Sequence, residues 1–258
     1  MQALDFSDQT VLITGASRGI GYGVAQLFAE CGADVHIMAR GQDTLEAAST
    51  LSDKTNRQVT GWVCDITNSQ SVDSVFSQLP KLDTFVANAG LELVTPITDT
   101  TSEAEARFRR VIDVNVIGTY LSTRAAVPLI KGGGNIIITS SIWGTTAEAE
   151  LGAYIASKHA NLGFMRVLAK ELGPRDIRVN AVCPGWVLTD PARETLRQMA
   201  QERDVSEDVV ASEISSQQSL PGIQSPADMA LSYLYLASSL AKNITGQKIN
   251  ADRGAVQG

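Results

Sequence analysis

The sequence predicts an α/β fold: a doubly wound, seven-stranded parallel sheet with helices on both faces, in a single domain over residues 1–258. Three observations carry this expectation. Short β-rich runs alternate with helical stretches from Thr10 to Asn250, and parallel pairing needs such alternation because each crossover requires a helix. Runs such as Val11-Leu12-Ile13 and Ile136-Ile137-Ile138 are apolar at consecutive positions, which suits strands covered on both faces. No Pro- or Ser-rich linker, charge block or internal repeat interrupts the pattern, and 258 residues is about the size one core can reach.

The first strand, Thr10 to Thr14, leads into Thr14-Gly15-Ala16-Ser17-Arg18-Gly19-Ile20-Gly21 and an apolar-periodic helix. Gly15, Gly19 and Gly21 stand where side chains would block a tight turn, close approach of backbone to a pyrophosphate, and packing of helix on strand. Free N–H groups and the helix dipole favour negative charge there. The motif reads as a dinucleotide site, with a purely structural glycine turn as the alternative, and makes the fold Rossmann-like. The second strand, Asp34 to Ala39, ends Met38-Ala39-Arg40. An acid at that end would hold ribose hydroxyls, whereas the Arg40 guanidinium suits a 2′-phosphate, with Arg18 closing from the other side. NADP(H) is expected over NAD(H), which stays possible; the alternative is that Arg40 is a solvated loop residue. The nearest acid, Asp43, is assigned to a capping box, Asp43-Thr44-Leu45-Glu46, of the next helix.

Val59 to Val63 and Leu82 to Ala87 form the next two strands, and an apolar helical stretch from Val111 to Ile130 precedes the fifth, Asn135 to Thr139. Then come Ser140-Ser141, Tyr154 thirteen residues beyond Ser141, and Lys158 four beyond that. Positions i and i+4 of a helix share a face, so the Lys158 ammonium can approach the Tyr154 phenol and move its pKa toward the working range. Ser141 falls at the carboxyl end of a strand, where doubly wound sheets bind ligands. By themselves a Tyr and a Lys so spaced also fit a packing residue and a surface charge. A second long helical stretch, Ala153 to Leu172, leads to the sixth strand, Ile177 to Val182. Asp190 to Leu220 is polar and amphipathic, the composition of a mobile flap over a ligand or of a rigid surface helix pair. A last helix and the strand Gln247 to Asn250 complete the sheet.

Composition narrows the function. A formal charge of −7 repels phosphate backbones and anionic lipid, so neither nucleic acid nor a membrane surface is an expected partner. No apolar run reaches the ~18 residues of a membrane helix, and Met1 to Asp8 has no secretory pattern, so a cytoplasmic location is expected. Cys31, Cys64 and Cys183 are widely spaced within apolar stretches, which reads as buried structural thiols with no metal site.

Taken together, the chain resembles the short-chain dehydrogenase/reductase family from about Thr10 to Asn250. The motifs are the glycine turn, Asp65 after the third strand, Asn88-Ala89-Gly90 after the fourth, Asn115 in Val114-Asn115-Val116, the Ser141, Tyr154 and Lys158 set, and Pro184-Gly185 with Thr189. The resemblance implies an NAD(P)-dependent oxidoreductase in which Tyr154 exchanges a proton with the substrate oxygen and Ser141 holds that oxygen. Lys158 would bind the nicotinamide ribose and lower the Tyr154 pKa, and Asn115 would fix a water on a proton path. Asp65 would contact adenine, Asn88 the adenosine ribose region, and Val187 and Thr189 the carboxamide; Ser17, Ile20, Ala89, Gly90, Pro184 and Gly185 complete the cofactor site. A homotetramer is the expected assembly.

By the same resemblance the substrate pocket includes Leu91, Glu92, Trp143, Leu151 and Trp186. Two indoles and an acid argue for a neutral substrate, a sugar, polyol or small cyclic alcohol, over a carboxylate, unless the tryptophans only pack. A 3-oxoacyl thioester and a non-catalytic NADP-sensing regulatory protein are the alternatives. One departure stands out: the family ends Ile-Thr-Gly and then Asp-Gly-Gly, whereas Ile244-Thr245-Gly246 is followed by Ala251-Asp252-Arg253-Gly254, placing an arginine where subunits of the family often meet.

Overall fold

The computed structural model describes residues 4–79 and 81–257; the reading of Met1 to Asp8 as lacking a leader lies partly outside them. Seven strands, β1 (Thr10–Thr14), β2 (Asp34–Ala39), β3 (Val59–Val63), β4 (Leu82–Ala87), β5 (Ile130–Thr139), β6 (Arg178–Pro184) and β7 (Lys248–Ala251), pair in the order β3-β2-β1-β4-β5-β6-β7. Every pairing is parallel. The expected doubly wound sheet is present, and the strand order reverses between β1 and β4. Such a switch point opens a crevice beyond the carboxyl ends of the strands.

Helices α1 (Gly19–Glu30), α2 (Asp43–Thr55) and α9 (Pro226–Ala237) cover one face. Val11, Ile13, Val35, Ile37, Phe28 and Tyr233 belong to the core beneath them. On the other face α3 (Ser69–Phe76), α5 (Thr119–Ala126) and α6 (Gly152–Leu172) enclose Leu12, Met38, Phe85, Ile136, Ile138, Met165 and Leu172. Alternate residues of one strand thus feed opposite cores, which is why the strands read as continuous apolar runs.

Four expectations need correction. β5 begins at Ile130, not Asn135. The stretch from Val111 to Ile130 is not one helix: α4 (Ser102–Ile112) passes through a π-helical turn, Asp113–Gly118, into α5. The capping box at Asp43 does not form. Gln42 is the N-cap and supplies no side-chain bond, while the Thr44 hydroxyl donates to the Gly41 carbonyl at 2.6 Å. Cys31 is only half-buried, unlike Cys64 and Cys183; all three are free thiols.

Residues 190–220 fold as α7 (Asp190–Glu202) and α8 (Glu207–Ser216). Leu196, Ala200, Val210 and Ile214 form a small core of their own, with Trp186 and Ile223 packed against it. Both ends of the segment meet, because Val187 bridges Gln224 and the Leu188 N–H donates to the Gln224 carbonyl at 2.8 Å. Arg253 fastens its far end from the C-terminal side. It adopts φ 57°, the left-handed region that favours glycine, its carbonyl accepts from Leu220 N at 2.9 Å, and its Nη1 donates to the Pro221 carbonyl at 2.7 Å. The family departure at this position therefore makes a contact within the chain. No helix among the described residues is long and apolar enough to cross a membrane.

Candidate active site

The glycine turn closes the carboxyl end of β1. Gly15 has φ 66°, and a Cβ there would lie 2.6 Å from the Ala89 Cα, so only glycine permits both the turn and the approach of β4. Gly19, at φ 62°, faces Thr189, whose Cγ2 would be 3.3 Å from an added Cβ. The loop after β6 thus forms the wall opposite the glycine turn. The N-cap of α1 is Arg18 in extended conformation with no side-chain bond to the helix, whereas side chains of Asn68, Thr101, Thr189, Ser206 and Ser225 cap α3, α4, α7, α8 and α9. The uncapped terminus of α1, at the switch point and walled by Thr189, fits a dinucleotide diphosphate.

Asn88 sits beneath this turn. Its Nδ2 donates to the carbonyls of Thr14 at 3.0 Å and Gly15 at 3.1 Å, and its Oδ1 accepts from Thr139. The side chain expected at the adenosine ribose is thus committed to holding the turn. Thr14 completes the tie: its hydroxyl accepts from the N–H groups of Asn88 and Ala89 and donates to the Val86 carbonyl. At the adenosine end, Asp65 accepts from both the N–H and the hydroxyl of Thr67. Burial opposes its charge, but these bonds, with Arg110 and Arg40 nearby, hold its carboxyl below the usual range. Arg18 and Arg40 are exposed, and their side chains make no hydrogen bond or ion pair among the described residues. Arg110 was not singled out from the sequence, since on a helix as charged as α4 it reads as a solvated face.

The second half of the site lies at the ends of β4, β5 and α6. The π-helical turn buries Asn115, which clamps Leu91 by both main-chain groups: Leu91 N donates to Oδ1 at 2.7 Å and Nδ2 donates to Leu91 O at 2.9 Å. The same Nδ2 donates to Ser157 Oγ at 2.9 Å, and Ser157 donates to the Tyr154 carbonyl at 2.6 Å. Thr95, from the loop after β4, caps α6 by accepting from Ala153 N at 3.1 Å. Helix α6 is therefore locked at the turn that carries Tyr154.

The Ser141 side chain lies near enough to Tyr154 to favour its phenolate, and its Oγ accepts from Trp143 N at 3.2 Å. Trp143 meets Tyr154 edge to face, 6.2 Å between ring centroids. Lys158 is 3% exposed; its Nζ donates to the Thr139 carbonyl at 3.0 Å and lies 5.3 Å from the Tyr154 ring centre. The structure brings Ser141, Tyr154 and Lys158 together as the spacing suggested, and Asn115, named by the resemblance, ties into the same helix through Ser157.

The electrostatics differ from expectation. Burial, then the Glu92 carboxylate, push the Tyr154 phenol well above the ordinary tyrosine range, with Ser141 opposing. Burial lowers Lys158 to about 8 against the attraction of Glu92 and the influence of Cys183. Lys158 does not depress the phenol here because its own ammonium is buried and directed to the Thr139 carbonyl. A neutral phenol is a proton donor, the form that carbonyl reduction requires.

Of the expected pocket residues, Glu92 is open to solvent at the rim, yet the protein around its carboxyl raises its pKa, with Lys158 opposing. Leu151 is buried beside α6, and Trp186 packs on α7 and α8. Pro184 and Gly185 end β6 next to Ala251 of β7, Val187 is buried, and Thr189 caps α7 by accepting from Ala192 N at 3.3 Å. Thr139, Ser157, Thr95 and Tyr233 were missed. Three are short polar residues, one at a strand end, one in a loop and one inside α6, and the fourth lies within an apolar stripe, so nothing local marks them.

A phosphate-ready helix terminus together with a half-buried Tyr154 between buried Ser141 and Lys158 defines a dinucleotide-dependent oxidoreductase, and comparison with known proteins agrees. The family model described as enoyl-(acyl carrier protein) reductase matches residues 15–256. The 3-oxoacyl-[acyl-carrier-protein] reductase of Chlamydia muridarum is 32% identical over 254 residues, 96% of this chain and 97% of that protein. The crystal structure of L-sorbose reductase from Gluconobacter frateurii with NADPH and L-sorbose superimposes with a TM-score of 0.91 at 26% identity, covering 99% of each chain. A 3-oxoacyl-[acyl-carrier protein] reductase with bound NAD from Brucella melitensis gives 0.82 at 30% identity, over 98% of this chain and 92% of that one. The chain belongs to the short-chain dehydrogenase/reductase family and is an oxidoreductase acting on alcohol and carbonyl groups.

Proposed function

We propose that this enzyme interconverts a secondary alcohol and its ketone, prefers NADP(H), and takes a neutral hydroxylated substrate such as a sugar, a polyol or a small cyclic alcohol. The observation that carries the chemistry is Lys158, buried with its Nζ 5.3 Å from the ring centre of Tyr154, whose phenol is neutral and neighbours Ser141. In reduction, Ser141 and Tyr154 hold the carbonyl oxygen, and Tyr154 gives its proton to that oxygen as negative charge develops. When bound, the nicotinamide supplies or accepts the hydride. Lys158 turns from the Thr139 carbonyl toward the ribose hydroxyls and stabilises the phenolate left behind; Asn115 fixes a water that returns the proton.

At the other end the α1 terminus, with Ser17 and Ile20, holds the diphosphate, Asp65 faces adenine, and Val187 and Thr189 face the carboxamide. Arg40 and Arg18 take the 2′-phosphate, a reading supported by the lack of an acid at Ala39 and by the absence of a side-chain hydrogen bond on either arginine among the described residues. Substrate polarity is argued from Glu92, which disfavours an anion beside Tyr154, and from the likeness to L-sorbose reductase. The likeness to 3-oxoacyl carrier-protein reductases favours a thioester as the second reading. The α7–α8 pair acts as a flap, the protein works in the cytoplasm, and its assembly is a homotetramer.

Tyr154→Phe tests the assignment. Cofactor binding is expected to persist while turnover falls by at least the ~10²-fold typical of a lost general acid. A variant keeping half its activity overturns it.

A further inference from the structure

Tyr233 of α9 is wholly buried, and its hydroxyl lies 2.8 Å from Thr139 Oγ1. Thr139 also donates to Asn88 Oδ1, at 3.2 Å. A threonine hydroxyl has one proton and an amide oxygen can only accept, so the Thr139 proton belongs to Asn88 and the Tyr233 O–H must donate to Thr139. Both protons of the Asn88 amide are in turn spent on the carbonyls of Thr14 and Gly15. One directional chain of hydrogen bonds therefore runs from α9 through β5 and the end of β4 to the glycine turn. Thr139 is its joint with the other half of the site, since its carbonyl holds Lys158.

Packing does not need the hydroxyl. Tyr233 lies in the apolar core with Met229, Ala230 and Leu234, where a phenylalanine would fill the space without burying a polar atom. We propose that Tyr233 is a positioning residue for the dinucleotide, fixing through Thr139 and Asn88 the carbonyls that set the shape of the glycine turn. This rests on the reading of that turn as the diphosphate site. Burial keeps the Tyr233 phenol protonated far above neutral pH, so the donor at the head of the chain persists under working conditions.

The test titrates NADPH and NADH into wild type, Tyr233→Phe, Thr139→Val and the double variant, with kcat at saturating cofactor and the melting temperature of each. Tyr233→Phe is expected to weaken both cofactors about three- to tenfold, the effect of one buried hydrogen bond, because both carry the same diphosphate; kcat should stay within about twofold. Thr139→Val, which strands Asn88 Oδ1 without a donor, should weaken binding more. In that background the Tyr233→Phe change should have no further effect, since the chain is already cut. Wild-type affinities in Tyr233→Phe, a lowered melting temperature with unchanged affinity, or effects of the two changes that simply multiply would overturn the proposal. A wild type that binds neither cofactor would instead overturn the diphosphate reading itself.

Discussion

Lys158 is the residue whose environment makes the sharpest statement about pH. Its pKa is lowered to about 8, chiefly by burial, so the free enzyme loses the ammonium as pH rises through that value, while Tyr154, shifted the other way, keeps its proton. The kcat/KM for carbonyl reduction should therefore fall on the alkaline side with a midpoint near 8; a profile flat to pH 10 would contradict this. The opposite end of the site gives a second prediction. A hydrogen bond to a charged group is worth roughly 1.5–3 kcal/mol, so Arg40→Ala should cost about 10- to 100-fold in NADPH affinity and leave NADH nearly unchanged. Ala39→Asp should invert the preference. Both are read by titration at fixed ionic strength, because exposed charges are screened, and equal loss of both cofactors would make Arg40 a loop residue. Ser141, Tyr154 and Lys158 were legible because a strand end and one helical turn fix their geometry locally. Thr139 and Tyr233 were not, since the bond that gives them a role joins positions 94 apart in sequence.

Among the elements, strands apolar on both faces were placed almost to the residue, and the error at β5 has a local cause. Gly132-Gly133-Gly134 reads as a turn, yet the chain is already paired at Ile130 with Leu82. The π-helical turn was not legible because nothing in the apolar run around Val114-Asn115-Val116 marks where a residue is added to the helical repeat, yet that turn buries Asn115. The helix pair is the element whose mechanics can be tested. Its small core is separate from both sheet cores, and Arg253 fastens its far end. Arg253→Gly removes that bond while relieving a left-handed backbone, worth about 1 kcal/mol in the opposite sense. The expected result is a melting temperature within a few degrees of wild type and limited proteolysis between residues 203 and 222 several-fold faster. Unchanged cleavage would show that the pair is held without Arg253.

For the molecule as a whole, half of the exposed large apolar side chains among the described residues fall in two regions. Phe108, Ile117, Tyr120 and Val167 project from α4, the π-helical turn, α5 and α6, and Leu231, Tyr235 and Leu240 from α9 and the turn after it. Clusters of this kind mark contact surfaces, and two distinct self-complementary faces close into a tetramer. Light scattering at micromolar concentration should give the tetramer mass, and Phe108→Glu with Val167→Asp should halve it; a monomer mass for the wild type would refute the assembly. The sequence announced the sheet and the residues at both ends of the reaction centre, but not how residues 187–224, the proposed flap over the substrate, fold and attach. Because that segment leaves and rejoins the body where Val187 bridges Gln224, with Arg253 as a further tie near its far end, it is a cassette. Exchanging it for the corresponding stretch of a relative should transplant specificity onto an unaltered scaffold, so that new substrates can be acquired by replacing one loop-closed piece without renegotiating the core.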